Sequence, residues 1–141
     1  MSVPSSMSCL VALPKDFIQK GYKQAIINAI NGICLDKLEK DPKRMTFLYN
    51  KEEEDTKRLL SEYAEKYPGI TLREQAPDFA KHKRQAYIKR NKTAFIRASH
   101  VLVIYDKPMT LTQESLIEMA EEGTSRFVLS LMLDEKDVEN A

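Results

Sequence analysis

Residues 87–106 read YIKRNKTAFIRASHVLVIYD, and this stretch decides the fold. Its first half, Tyr87 to Ile96, carries apolar residues at the three- and four-residue spacing of an amphipathic helix. Its second half, Val101 to Tyr105, is a continuous apolar run ending at Asp106, the pattern of a strand buried on both faces. Tyr87, Ile88, Ala94 and Phe95 lie three or four residues from Asn91, so a polar amide is expected in the middle of an apolar stripe. A buried amide without partners costs roughly 1–3 kcal/mol. Asn91 must therefore meet either a ligand or a backbone group that it tethers.

The same alternation recurs outward from this stretch. Met7–Leu13 predicts a first buried strand, stopped by Pro14. Tyr22, Ala25, Ile26, Ala29, Ile30, Ile33 and Leu38 predict a helix over about 19–39, broken at Asp41-Pro42-Lys43. Arg44–Tyr49 is the second strand. Asn50 is placed to cap the next helix, with Glu52, Glu53, Glu54 and Asp55 at the positive end of its dipole. Leu59, Leu60, Tyr63, Ala64 and Tyr67 form its stripe, and Pro68-Gly69 ends it. Ile70–Glu74 is a short strand at an edge. Pro77 opens a long basic helix to about Ala98, followed by the strand 101–105. Thr112 begins a helix through Glu122, and Arg126–Leu133 is the fifth strand.

Strands that are apolar on both faces and alternate with helices imply a parallel sheet covered on two sides. The expected fold is one α/β, Rossmann-like (flavodoxin-like) domain over 7–133, with five parallel strands in the order 3-2-1-4-5 and flexible tails at 1–6 and 134–141. Ligands of such sheets bind beyond the carboxyl ends of the strands, at the switch in strand order. The loops to watch are Pro14–Gly21, Asn50–Asp55 and Asp106–Thr112.

Composition narrows the function classes. The 141 residues are 43% hydrophobic and 30% charged with net charge +1, an ordinary globular balance whose field argues for neither nucleic acid nor a membrane surface. Charge is distributed unevenly: 77–99 holds seven Lys/Arg against one acid, and 111–141 holds eight acids against Arg126 and Lys136. Tyr87 and Phe95 interleave with the basic residues, as in single-strand binders, but both fall on the face assigned to the core, which weakens that reading. No apolar run approaches the roughly 18 residues of a membrane span. Cys9 and Cys34 fall in apolar runs as small core residues of a reduced protein, and the expected compartment is the cytoplasm. His82 and His100 have no ligand-spaced neighbours, so no metal site is expected. No G-x-G-x-x-G, phosphate loop or G-x-S-x-G motif is present, and the four glycines miss the strand-to-helix turns where phosphates bind.

Several residues read two ways. Asp106 either hydrogen-bonds a ribose or substrate in the crevice or simply begins the Asp-Lys-Pro turn. Arg90 lies at the crevice edge, where its guanidinium can meet a phosphate, or it is part of a helix–strand tether with Asn91. Thr112 is placed as a helix N-cap, and Glu114 as a first-turn acid or a catalytic carboxylate.

Four stretches in order resemble a known group: Cys9-Leu10-Val11-Ala12-Leu13-Pro14-Lys15-Asp16-Phe17, Leu60 to Leu72, Arg90 to Ile96, and Val101 to Asp106. Together, over about residues 8–132, they resemble the SLOG superfamily, the Rossmann-like group that includes YpsA-type proteins, DprA and the LOG cytokinin-activating enzymes. The resemblance is greatest to the YpsA type. It implies a nucleotide site with Arg90, Asn91 and Asp106 in it. The phosphate loops of the family are altered here: Ala12-Leu13-Pro14 replaces a Gly-His-Arg type turn, Tyr49 to Asp55 replaces a glycine-rich loop, and Met109-Thr110-Leu111-Thr112 replaces a Gly-Thr. Four acids in the second loop repel phosphate.

The leading expectation is a divergent, non-catalytic SLOG-like protein that binds a nucleotide-derived small molecule through Lys15, Arg90, Asn91, Asp106 and Thr112, with no cofactor. A homodimer is expected by analogy of fold. One rival is a nucleoside N-glycosidase or deoxyribosyltransferase-like enzyme with Glu114 as nucleophile or base. The other is a protein-interaction module with a decayed pocket, which would suit a phage or mobile-element protein, with the acidic loop 52–55 and the basic helix 81–97 facing a protein partner.

Overall fold

The computed structural model describes residues 8–32, 45–67, 69–122 and 127–139. The leader 1–6, Cys34, the 33–39 end of the first predicted helix and the break at Asp41-Pro42-Lys43 lie outside the described residues. Five strands, β1 (Ser8–Ala12), β2 (Thr46–Asn50), β3 (Thr71–Gln75), β4 (His100–Tyr105) and β5 (Phe127–Met132), form one parallel sheet in the order β3-β2-β1-β4-β5. The helices between them are α1 (Lys23–Gly32), α2 (Glu54–Lys66), α3 (Phe79–His82), α4 (Ala86–Arg97) and α5 (Leu111–Glu121). This is the expected α/β class and the expected strand order.

Strand periodicity sorts the core into two layers. Cys9 and Val11 of β1, Phe47 and Tyr49 of β2, and Leu102 and Ile104 of β4 point to the face covered by α1 and α2. There they meet Ile26, Ile30, Leu59, Leu60 and Tyr63, with the Tyr63 ring edge-on to Phe47 at 6.1 Å. The alternate residues, Leu10, Ala12, Leu48, Val101 and Val103, face α4 and α5 through Ala94, Phe95 and Leu116. β3 is largely exposed, in keeping with its edge position. Helices that follow β1 and β2 lie on one face and those before and after β4 on the other. The crossovers therefore part between β1 and β4, and a crevice opens at the carboxyl ends of the strands there.

The basic helix expected from Pro77 to Ala98 is broken in two. Asp78 caps the short α3 by accepting from the Lys81 N–H, Lys83 takes a positive φ of 51°, and a 3-10 turn (Lys83–Gln85) leads into α4. The buried stripe of α4 is Ala86, Arg90, Asn91, Ala94 and Phe95, so Asn91, Ala94 and Phe95 face the core as expected. Tyr87 and Ile88, expected beside Asn91 in the core, are instead 44% and 50% exposed. Charge did not decide the buried face; a guanidinium is buried where an isoleucine was expected.

Two helix starts also differ from expectation. Glu53, not Asn50, is the N-cap of α2, because Asn50 is the last residue of β2. Thr110, not Thr112, caps α5: its hydroxyl accepts from the Gln113 N–H, and Gln113 returns a side-chain acceptor to the Thr110 N–H. Gln113 is itself buried and donates to the Ile104 carbonyl, which fixes α5 to the end of β4.

Residues 134–139, within the stretch expected as a flexible tail, are folded onto the β1–α1 loop. Asp134 caps a 3-10 turn at Glu135–Asp137, the Glu139 N–H donates to the Gly21 carbonyl at 2.8 Å, and the Gln24 N–H donates to the Glu139 carboxylate. Gly21 has φ +82°, and a Cβ there would sit 3.0 Å from Val138 Cγ1. Gly21→Ala thus meets both a left-handed backbone and a steric neighbour. Its expected cost is about 1–2 kcal/mol, read as a lower urea midpoint at unchanged slope; an unchanged midpoint would contradict the described packing of residues 134–139.

Candidate functional site

Three loops leave the carboxyl edge of the sheet around the switch point and enclose a cavity of about 370 Å³. Leu13, Pro14, Lys15 and Asp16 come from the loop after β1, Glu52–Thr56 from the loop after β2 and the first turn of α2, and Thr110 and Thr112 from the start of α5. These are the loops singled out from the strand pattern. The volume lies within the roughly 300–1,000 Å³ of small-molecule sites. Its walls carry five carboxylates (Asp16, Glu52, Glu53, Glu54, Asp55) and one cation, Lys15.

Of the expected ligand residues, Lys15 and Thr112 line this cavity. Arg90 and Asn91 stand behind it, 6% and 5% exposed. Arg90 Nη1 donates to Glu52 Oε1, and its Nε and Nη2 donate to Asn91 Oδ1 at 3.2 and 3.1 Å. Asn91 Nδ2 then donates to Thr112 Oγ1 at 3.4 Å, and the Arg90 guanidinium lies 5.0 Å from the centre of the Tyr87 ring. The amide in the α4 stripe is therefore satisfied within the protein. It belongs to a chain, Glu52–Arg90–Asn91–Thr112, that ties the loop after β2 to α4 and α5. Asp106 is buried and accepts from Lys20 Nζ at 3.0 Å, so the carboxylate at the end of β4 holds the β1–α1 loop. Glu114 is exposed and is not part of the cavity lining. Among the described residues no group of His, Cys, Asp and Glu is arranged to hold a metal.

The acidic loop is less repulsive than its sequence suggests, because its carboxylates have separate partners. Glu52 is bound by Arg90, and Asp55 accepts from the Ile18 N–H at 3.3 Å. Glu54 and Asp55 also sit in the first turn of α2, where the helix dipole favours them. Glu53 differs. Burial pushes its carboxyl up to about 7, and the neighbouring Glu52 charge adds to the rise. Arg90, the Leu13 N–H and the Asn50 side chain act the other way, and do not cancel it. Glu53 Oε2 and Asn50 Oδ1 are both shut off from solvent without a hydrogen-bond partner. The two orphaned atoms are both acceptors, so the deficit is one of donors.

Neither Glu53 nor Asn50 is among the ligand residues expected from the sequence, which places Asn50 as a helix cap and Glu53 in the acidic loop at the helix dipole. A run of four acids does carry a signal: packed against a sheet edge, at least one carboxylate in such a run loses its water.

No protein-family model, curated protein or solved structure matches this chain. The resemblance to the SLOG superfamily rests on the residues quoted from the sequence. No described helix is long and apolar enough to cross a membrane.

The raised Glu53 carboxyl has a stability consequence with a definite sign. Its value is about 7 when folded and an ordinary 4.5 otherwise. Between these the folded state holds the extra proton, so stability present at low pH is lost as pH rises from 4.5 towards 7 and above. Comparing pH 5 with pH 8, wild type should lose on the order of 2 kcal/mol more than Glu53→Gln in urea unfolding. Parallel pH profiles for the two proteins would contradict the buried, protonated carboxyl.

Proposed function

We propose that this protein is a non-catalytic, SLOG-like small-molecule binder whose ligand is nucleotide-derived and is held in the cavity at the switch point. The observation that carries this reading is the position of the cavity: it is built from the loops after β1 and β2 and before α5, where doubly wound sheets bind ligands. Lys15 and Thr112 are the ligand-facing members of the proposed set. Arg90 and Asn91 hold the walls, and Asp106 fixes the β1–α1 loop through Lys20.

The charge of the walls favours the base and sugar of a nucleotide over its phosphate. Arg90, the guanidinium best placed for an anion, is already paired with Glu52. The remaining carboxylates repel a phosphate across the cavity. The N-glycosidase or deoxyribosyltransferase reading with Glu114 is the less favoured one, since that side chain stands outside the lining.

A protein-interaction module is the second reading, and a different surface favours it. Phe79 and Tyr87 stack edge to face at 5.2 Å with both rings exposed, next to the exposed Ile88 and the basic residues of α3 and α4. Exposed aromatics rimmed by charge are typical of contact surfaces.

A thermal-shift panel of nucleosides, their 5′-monophosphates and ADP-ribose separates these readings. A ligand at about 100 times its Kd stabilises by about 2.7 kcal/mol, so at least one nucleoside should raise the Tm by several degrees and its monophosphate should raise it less. No shift across the panel would end the ligand-binding reading and leave the interaction surface as the better account.

A further inference from the structure

The cavity has a donor deficit at one defined place. Glu53 lines it, and Asn50 hydrogen-bonds to the Glu53 carboxyl from the end of β2. Each of the two side chains keeps one buried acceptor without a donor, Oε2 on Glu53 and Oδ1 on Asn50. Leaving such atoms unmatched is costly, and native proteins tolerate few of them. Two remedies exist: a proton on Glu53, or N–H donors from a ligand.

We propose that the cavity binds a planar group presenting two adjacent N–H donors, such as the edge of a guanine base or a guanidinium, with the Glu53 carboxylate as its acceptor and Asn50 beside it. This rests on the switch-point cavity being the ligand site. The two oxygens of a carboxylate match two parallel N–H donors in a fork, the strongest geometry for such pairs. The other walls agree in sign. Asp16, Glu52, Glu54 and Asp55 surround the position against Lys15, a field that favours the positive edge of a donor group and disfavours an anion. Glu53 Oε2 is shut off from water, so binding requires the Glu53 side chain to turn towards the cavity.

Binding and protonation then compete for one carboxyl. The charged and titratable groups around it are Glu52 and Arg90, with Glu54 and Asp55 on its own helix and Lys15 and Asp16 from the β1 loop; the Leu13 N–H and the Asn50 side chain complete its contacts. When the ligand binds, the proton on Glu53 leaves to solvent and the ligand's N–H groups take its place as donors. Affinity therefore weakens on acidification.

Isothermal titration of the whole chain with guanosine, inosine, adenosine and agmatine at pH 8 and pH 5.5 tests this. Guanosine presents the paired donors of a base and agmatine those of an alkylguanidinium; inosine lacks the exocyclic amine, and adenosine lacks the ring N–H. Guanosine or agmatine is expected to bind, guanosine at least tenfold tighter than inosine if the source is a base, with affinity at least fivefold weaker at pH 5.5. Glu53→Gln should weaken that binding tenfold or more. Should the variant fail to fold, the ligand series and the pH dependence of wild type decide. Equal binding of the three nucleosides, or affinity unchanged by pH and by Glu53→Gln, would overturn this inference while leaving the cavity as a nucleoside site. Binding of agmatine alone would support the paired-donor chemistry and overturn the nucleoside reading. No binding by any of the four would overturn both.

Discussion

The Arg90 guanidinium is buried in α4, and three of its contacts fix the carboxyl edge of the sheet. Glu52 takes its charge, Asn91 takes two of its N–H groups, and Tyr87 covers its face. A buried cation without a carboxylate is strongly destabilising, so the loop after β2 is held where Glu52 can reach it. That placement in turn puts Glu53 against the Leu13 N–H and Asn50, and sets Glu54 and Asp55 in the first turn of α2. The cavity exists in its present form because one ion pair holds the acidic loop closed over the end of β2.

The same pair explains how a loop of four acids is accommodated at the carboxyl edge of the sheet. Glu52 is paired with a guanidinium, Asp55 accepts a backbone N–H from the β1 loop, and Glu54 and Asp55 both benefit from the helix dipole. The remaining burden falls on Glu53, whose carboxyl is pushed towards neutrality mainly by burial. A carboxyl shifted by burial beside a cavity marks a candidate functional site.

Much of the fold was legible because parallel strands bury both faces and so read as continuous apolar runs. Cys9 to Leu13 and Val101 to Ile104 show this, and their alternate residues divide cleanly between the two helix layers. The loops that line the cavity followed from strand order alone. What was not legible depended on tertiary context. Periodicity gave Tyr87 and Ile88 to the core along with Asn91, Ala94 and Phe95; the last three are buried, but Ala86 and Arg90 take the inward positions at the start of α4. Asn91 had a partner in the residue next to it, which a helical-face argument does not consider, since adjacent residues on a helix do not face each other. The orphaned oxygens of Asn50 and Glu53 arise only when β2, the β1 loop and α4 meet.

The central claim is that ligand binds between the loops after β1 and β2 and the start of α5. Amide chemical-shift mapping of the labelled protein, titrated with the nucleoside that gives the largest thermal shift, tests it most directly. Shifts should cluster at Lys15, Asp16, Glu53 to Thr56 and Thr110 to Thr112. Shifts confined to Phe79, Tyr87 and Ile88, on the exposed face of α3 and α4, would contradict it.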